Sequence, residues 1–460
     1  MRPTLVLNVV GLSPSLLGGD TPHLSALASE GVLRPLETIT PAVTCSVQAT
    51  LLTGRLPREH GIVGNGWYFR DLAEVMFWRQ SNHLIQSRQV WDLGRDRNPD
   101  FTSANLFWWY NMYGSATWSV TPRPMYPADG RKLPDVYTQP SELRAELTQK
   151  LGQFPLFRFW GPAADITSSR WIASAALHVM QTRSPTLTLV YIPHLDYDLQ
   201  RLGPDLSSAR LRQDLREVDA LCGELIEAAK KTDRRVVVLS EYGITPVAGA
   251  IALNRVLRRA GWLAVREELG RELLDAGASR AFAVADHQVA HIYVKDPALL
   301  PEVRARVSAE DGVERVLDRT EQAALGLDHA RSGELVAISR PDRWFSYYYW
   351  LEPERAPDFA RTVDIHRKPG YDPVELFLDP KIVVPKLAIG ARLMKKAAGF
   401  RTLMDVISAD DTSLVKGSHG RITDDPRDGP LLISNAPEIA GTGPVRATNV
   451  AELMLAHVFD

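Results

Sequence analysis

Between Pro41 and Asn65 the chain reads Pro-Ala-Val-Thr-Cys-Ser-Val-Gln-Ala-Thr-Leu-Leu-Thr-Gly, then continues through Pro57 and His60-Gly61. Thr44, Cys45 and Ser46 put two hydroxyls and a thiol side by side just before a helical run. Unpaired N–H groups and the dipole at a helix N-terminus favour both a nucleophile and the anion it attacks. A plain helix cap is the competing role for Thr44. Other groups capable of acid–base, metal or phosphate chemistry are spread along the chain. Asp196 and Asp198 follow one apolar run, Glu241 follows another, and Asp286, His287 and His291 sit at the start of a third. His366, Arg367 and Lys368 with Tyr371 and Asp372 form a compact polar set, and His419 lies between Ser418 and Gly420. Arg and Lys suit phosphate oxygens, so His366, Arg367 and Lys368 are candidate substrate-binding residues, with a plain surface turn as the competing reading. His287 and His291 read as core or turn histidines, and Asp198 as a solvated loop carboxylate.

Positioning these groups requires a sheet whose strands end near one another. Short apolar runs at 4–10, 186–192, 235–240, 291–294 and 334–339 read as strands, and helical patterns fill the gaps between them. Thr21-Pro22 opens a helix that Gly31 ends, and 207–231 carries Leu211, Leu215, Val218, Leu221 and Leu225 on one stripe. A third helix is expected over 254–260, ending at Gly261. The fold class is therefore α/β, a three-layer and mostly parallel sheet with helices on both faces. Residues 1–66 form the first part of that core and 166–460 the remainder. Residues 67–165, dense in Trp, Tyr, Phe and Pro without a clean period, read as an aromatic-rich insertion or cap.

The segment around Thr44 resembles the nucleophile region of the alkaline phosphatase superfamily, in its nucleotide pyrophosphatase/phosphodiesterase and phosphonoacetate hydrolase branch. The resemblance rests on Thr21, Pro22 and Leu24, on Thr44 four residues before Gln48, on Ala49-Thr-Leu-Leu-Thr-Gly54, and on Pro57, His60-Gly-Ile and Asn65. It continues through Tyr191-Ile-Pro-His-Leu-Asp196, Val236-Val-Val-Leu-Ser240-Glu-Tyr-Gly243 and Gly417-Ser-His-Gly420. It implies an alkaline phosphatase-like fold with Thr44 as nucleophile and Asn65 as donor to a non-bridging phosphoryl oxygen. It also implies two divalent metals sharing that nucleophile.

The chain departs from the pattern where the metals would bind. Val10 stands where an aspartate is expected, Gln200 where a histidine is expected, and Glu241-Tyr242 where Asp-His is expected. Asp196 and His419 are unchanged. The resemblance then implies at most one divalent cation, Mg²⁺, Mn²⁺ or Zn²⁺, with Asp196, Gln200, Glu241 and His419 as its ligand set. Cys45 invites comparison with sulfatases, but Cys45-Ser-Val-Gln-Ala49 lacks the Pro and Arg of their motif.

Composition limits the remaining choices. The 460 residues carry 53 Lys+Arg against 55 Asp+Glu, a formal charge of −2 that asks for neither a nucleic-acid polymer nor a lipid surface. Two distant cysteines form no disulfide scaffold and point to a reducing compartment. No run approaches the roughly 20 apolar residues of a membrane span, and Asn8 interrupts the first apolar stretch, which reads as a buried strand rather than a signal peptide. The expectation is a cytoplasmic hydrolase of a phosphate ester, phosphodiester or phosphonate, acting on a small phosphorylated molecule. The alternative is a catalytically silent relative that keeps the pocket as an anion-binding or assembly module. Substrate and oligomeric state are left open.

Overall fold

The first strand, Thr4–Val9, is buried along its whole length. In a sheet this means both faces are covered, the situation of a parallel strand flanked by crossover helices. A computed structural model describes residues 1–460 and places Thr4–Val9 at the middle of a nine-stranded sheet. It pairs in parallel with Leu187–Ile192 on one side and Arg235–Leu239 on the other, Thr4 lying opposite both Leu187 and Arg235. Beyond Leu187–Ile192 come Ser103–Leu106, Trp118–Pro122 and Val136–Gln139, the last of them antiparallel to its neighbour. Beyond Arg235–Leu239 come Leu431–Ser434, Val32–Glu37 and Val445–Arg446. The helices Ile166–Arg183, Ala209–Lys231 and Val450–Phe459 contribute Val179, Leu215 and Leu455 to the main core.

The expected α/β sheet is therefore present, and the strands read from sequence are found within a residue or two of their expected bounds. The segment 67–165 differs from expectation. Rather than standing outside the core, it supplies Ser103–Leu106, Trp118–Pro122 and Val136–Gln139 to one edge of the central sheet, and Phe107 and Trp108 belong to the main core. These strands have only four or five residues, too few to display a period against the aromatic background. The stretch 166–460 is also not all central core. Ala281–Asp286, Val289–Val294, Leu335–Ser339 and Val313–Leu317 form a second, wholly antiparallel four-stranded sheet with its own apolar cluster.

Because the three middle strands are parallel, their carboxyl ends lie together at one edge of the sheet. Val10, the turn leading to Asp196, and Ser240-Glu241-Tyr242 are delivered to that edge. Gly11 and Gly243 bridge there, and Gly11 adopts φ 78°, which lets the chain turn away immediately after the strand. The second sheet meets the same edge through the tight turn between Asp286 and Val289. There His287 has φ 60° and the Gln288 N–H donates to the His419 carbonyl.

Candidate functional site

Thr44 begins the helix Thr44–Thr53, but it does not cap it. Val43 holds the cap position and no side chain caps the helix, so the Thr44 hydroxyl is free for other partners. Its Oγ1 lies 3.1 Å from the Tyr242 hydroxyl, and the Tyr242 hydroxyl donates to Asp196 Oδ1 at 3.3 Å. Residues nearly 200 positions apart in sequence are thus joined in one hydroxyl–hydroxyl–carboxylate chain. Asp196 reaches it from the helix His194–Leu202, which follows the strand Leu187–Ile192, and Tyr242 from the turn after Arg235–Leu239.

Asn65 stands beside this chain. Its Oδ1 accepts the Cys45 N–H at 2.9 Å, occupying one of the helix's free donors, and its Nδ2 donates to Asp286 Oδ1 at 3.0 Å. The Asn65 backbone N–H donates to the other oxygen of Asp286 at 2.7 Å. Asp286 in turn accepts from His287 Nδ1 at 2.8 Å. The second sheet therefore fixes the residue that faces the helix start.

His419 Nδ1 donates to the Ala42 carbonyl at 2.8 Å, so its Nε2 carries the lone pair, 3.9 Å from Asp196 Oδ1. The rings of Tyr242, His419, His287 and Tyr371 form one column, with successive centroids 3.5, 3.7 and 3.6 Å apart. Tyr371 closes the far end by donating to Gln200 Oε1 at 2.9 Å, with Trp78 and Trp160 packed against it.

Burial without a cationic side chain sets the electrostatics. Desolvation pushes the Asp196 carboxyl up to about 7 against the hydrogen bonds from Gln200 and Tyr242 that favour its charge. It pushes Glu241 up to about 8 and Asp286 up to about 6. The same burial drives His287 and His419 well below the ordinary histidine range, so both rings are neutral at physiological pH.

A cation clamp does not fit these residues. Both oxygens of Asp196 already accept hydrogen bonds, from Tyr242 and from Gln200 Nε2 at 2.6 Å. Gln200 thus turns an amide N–H toward Asp196 and its oxygen toward Tyr371, the reverse of what a metal ligand needs. Glu241 Oε1 is held by Asn8 and Gln48 amides, each at 2.5 Å, and Val10 is apolar and wholly buried. Asp196, His419 and the unpartnered Glu241 Oε2 are left as ligand atoms, and these three do not gather within 4.8 Å of one another as a metal centre requires. His194, Asp214 and Glu217 form a separate trio whose ligand atoms all lie within 4.8 Å of one another. Its positive charge is supplied by Arg210, 3.4 Å from Asp214 and 2.7 Å from Asp198, and Asp198 is paired with Arg201 as well.

The polar set at 366–372 is placed differently from expectation. Lys368 is 1% exposed and is held by Asp372 at 2.8 Å and Glu375 at 2.7 Å. Arg367 pairs with Asp358 at the surface, and His366 faces the Phe77 carbonyl at 3.4 Å. Burial of two carboxylates captures the one ammonium within reach, so Lys368 is not free to meet phosphate. Tyr371, which reaches Gln200, is the member of the set that joins the site. His291 uses both ring nitrogens, on the Val63 carbonyl and the Gly333 N–H, as a core histidine should. Sequence reading missed Asn8, Gln48 and the positive role of Tyr242. The one available signal was a polar Asn8 in an otherwise apolar central strand.

Comparison with known proteins agrees with this architecture. The type I phosphodiesterase / nucleotide pyrophosphatase family matches residues 4–372. An uncharacterized pyrophosphatase/phosphodiesterase of Schizosaccharomyces pombe is 29% identical over 244 residues, covering 51% of this chain and 42% of that protein, so the match spans less than half the relative's length. Among solved structures, phosphonoacetate hydrolase from Sinorhizobium meliloti in complex with phosphonoformate superposes with TM-score 0.63 at 14% identity, over 99% of this chain and 96% of that one. Murine ectonucleotide pyrophosphatase/phosphodiesterase 5, an inactive form in complex with AMP, gives TM-score 0.59 at 14% identity, over 100% and 95%. With a match over most of its length, the chain belongs to the type I phosphodiesterase / nucleotide pyrophosphatase family of hydrolases.

Proposed function

We propose that this chain hydrolyses a phosphate ester, phosphodiester or phosphonate of a small molecule, with Thr44 as the nucleophile and without a clamping metal pair. The observation that carries the reading is the chain Thr44–Tyr242–Asp196 at a helix N-terminus. As Thr44 Oγ1 bonds to phosphorus and the bond to the leaving group breaks (P–O in an ester, P–C in a phosphonate), the Thr44 proton passes to the Tyr242 hydroxyl, whose own proton passes to Asp196, and the leaving group takes a proton from water. With a carboxyl near 7, Asp196 is present in both forms at neutral pH, as a proton acceptor should be. Free N–H groups of the first helical turn and the remaining Asn65 amide hydrogen would meet the phosphoryl oxygens. Water then attacks phosphorus as the bond to Thr44 Oγ1 breaks; the proton held on Asp196 returns through Tyr242 to Thr44, water's oxygen stays on the product phosphate, and the proton it loses goes to solvent. The buried thiols Cys45 and Cys222 support a reducing, cytoplasmic setting.

The test is turnover of nitrophenyl phosphodiester, monoester and phosphonate substrates by the purified chain, with phosphonoformate and AMP as competitors. Thr44→Ala is expected to abolish turnover while the fold is retained. No turnover by wild type with every substrate class would overturn the reading.

A second reading, a silent relative that uses the pocket for anion binding or assembly, is favoured by one observation. The ring column Tyr242–His419–His287–Tyr371 begins at the tyrosine whose hydroxyl meets Thr44, and Thr44 is only 4% exposed. It predicts phosphonoformate binding without turnover, and binding that Thr44→Ala leaves intact.

A further inference from the structure

The helix Pro385–Ala397 contains no buried residue, although it is rich in apolar ones. Its inner side is fixed by Ile389, which together with Ile382 just ahead of the helix packs on the cluster of Val247, Trp344 and Val374. Arg392 pairs with Asp405 at 2.6 Å. At about 100° per residue, Leu387 and Met394 lie on the side opposite Ile389. They are 69% and 67% exposed, and Val383 and Phe400 at either end are 94% and 67% exposed. Lys386 and Lys395 stand about a quarter turn to either side of this apolar arc.

Charge is equally one-sided. From Lys381 to Met404 the chain carries six Lys and Arg and no Asp or Glu, within a protein of formal charge −2. The segment's ion pairs are Lys381–Asp410 and Arg392–Asp405, which leaves Lys386, Lys395, Lys396 and Arg401 without a partner. A groove beside the helix is lined by Arg392, Lys395, Phe400 and Arg401, with Asp405, the partner of Arg392, as its one acidic residue.

We infer that this helix lies in the headgroup plane of an anionic lipid bilayer, so that the protein is a peripheral membrane binder. An exposed apolar arc bordered by unpaired lysines is the pattern that buries its apolar face at the acyl boundary and sets cations among lipid phosphates. The absence of any acidic residue over the segment selects an anionic surface over a mixed-charge protein partner. The whole-chain charge hides this feature because acidic residues elsewhere balance it. The inference does not depend on the hydrolase reading, since none of these residues touches Thr44 or its partners.

The experiment is co-sedimentation of the full chain with vesicles of phosphatidylcholine containing about one-third phosphatidylserine, a strongly anionic surface. Binding is expected to these and not to phosphatidylcholine alone. Release is expected at about 1 M salt, where screening shrinks to about 3 Å. Lys386→Gln and Lys395→Gln should each weaken partitioning about fivefold. Leu387→Asp with Met394→Asp should abolish binding at low salt, with an unchanged melting temperature showing that the fold is kept. Three results would overturn the proposal: no binding to anionic vesicles, binding that survives all four substitutions, or a lipid-free dimer that Leu387→Asp dissociates.

Discussion

In the proposed reaction Tyr242 both fills space and carries a proton. Its ring covers His419, and its hydroxyl lies within hydrogen-bond distance of Thr44 and Asp196. Tyr242→Phe keeps the ring and breaks the relay. It should lower kcat about 100-fold with little change in KM or melting temperature, as loss of a positioned acid–base group does. The relay also fixes the pH dependence. Asp196 must be ionised to accept a proton, so activity should rise with pH with a midpoint about 7, and Asp196→Asn should remove that limb. Stability should move the opposite way. Asp196 and Glu241 both bind protons more tightly in the folded chain than in the unfolded one, so their contribution is full in acid and is lost as pH climbs from the ordinary carboxylate range through about 7 and 8. The melting temperature should fall between pH 5 and 8, and Glu241→Gln should flatten the fall.

At the scale of elements, the loop around Lys368 shows how burial reassigns a residue. The ammonium is wholly enclosed with Asp372 and Glu375, and Glu375 also accepts from Trp160 at 2.6 Å. This triad ties the loop that presents Tyr371 to the rest of the protein. Lys368→Met would leave two buried carboxylates unpaired and should destabilise the fold by about 3–5 kcal/mol in chemical denaturation. Arg367→Ala, at the surface, should change neither stability nor KM. An equal rise in KM from both substitutions, without loss of stability, would restore a substrate-binding role to this loop. The loop's local sequence, dense in charge, resembles a phosphate-binding turn, and only the burial of Lys368 with Asp372 and Glu375 reveals otherwise. The edge strands between 103 and 139 were hidden for a related reason. Four-residue strands acquire their identity from pairing with Leu187–Ile192 and with one another, not from any internal pattern.

At the scale of the whole molecule, two sheets meet at the site. The central sheet brings Asn8, Asp196 and Glu241. The second sheet brings Asp286 and His287 to brace Asn65 and to stack on His419. Neutral side chains hold both oxygens of Asp196 and one oxygen of Glu241, while Glu241 Oε2 is buried without a partner. Dialysis against a chelator should therefore leave both turnover and melting temperature unchanged, and elemental analysis should find less than one divalent ion per chain. A drop in melting temperature that added Mg²⁺, Mn²⁺ or Zn²⁺ reverses would reveal a resident cation and defeat this account.

The sequence by itself determined the alternating α/β pattern, the central parallel strands and the helix that starts at Thr44, and through a family resemblance it singled out Thr44, Asn65, Asp196 and His419 as candidates. These are carried by local periodicity, by turn residues and by motifs within short stretches. Only the tertiary structure decided that Tyr242 would link Thr44 to Asp196, that Gln200 would present nitrogen rather than oxygen, that Lys368 would be consumed by an ion triad, and that Leu387 and Met394 would face outward. Each of those outcomes depends on which groups share one buried or exposed environment, and a hydrogen bond or a desolvation cost exists only once the chain has brought its partners together.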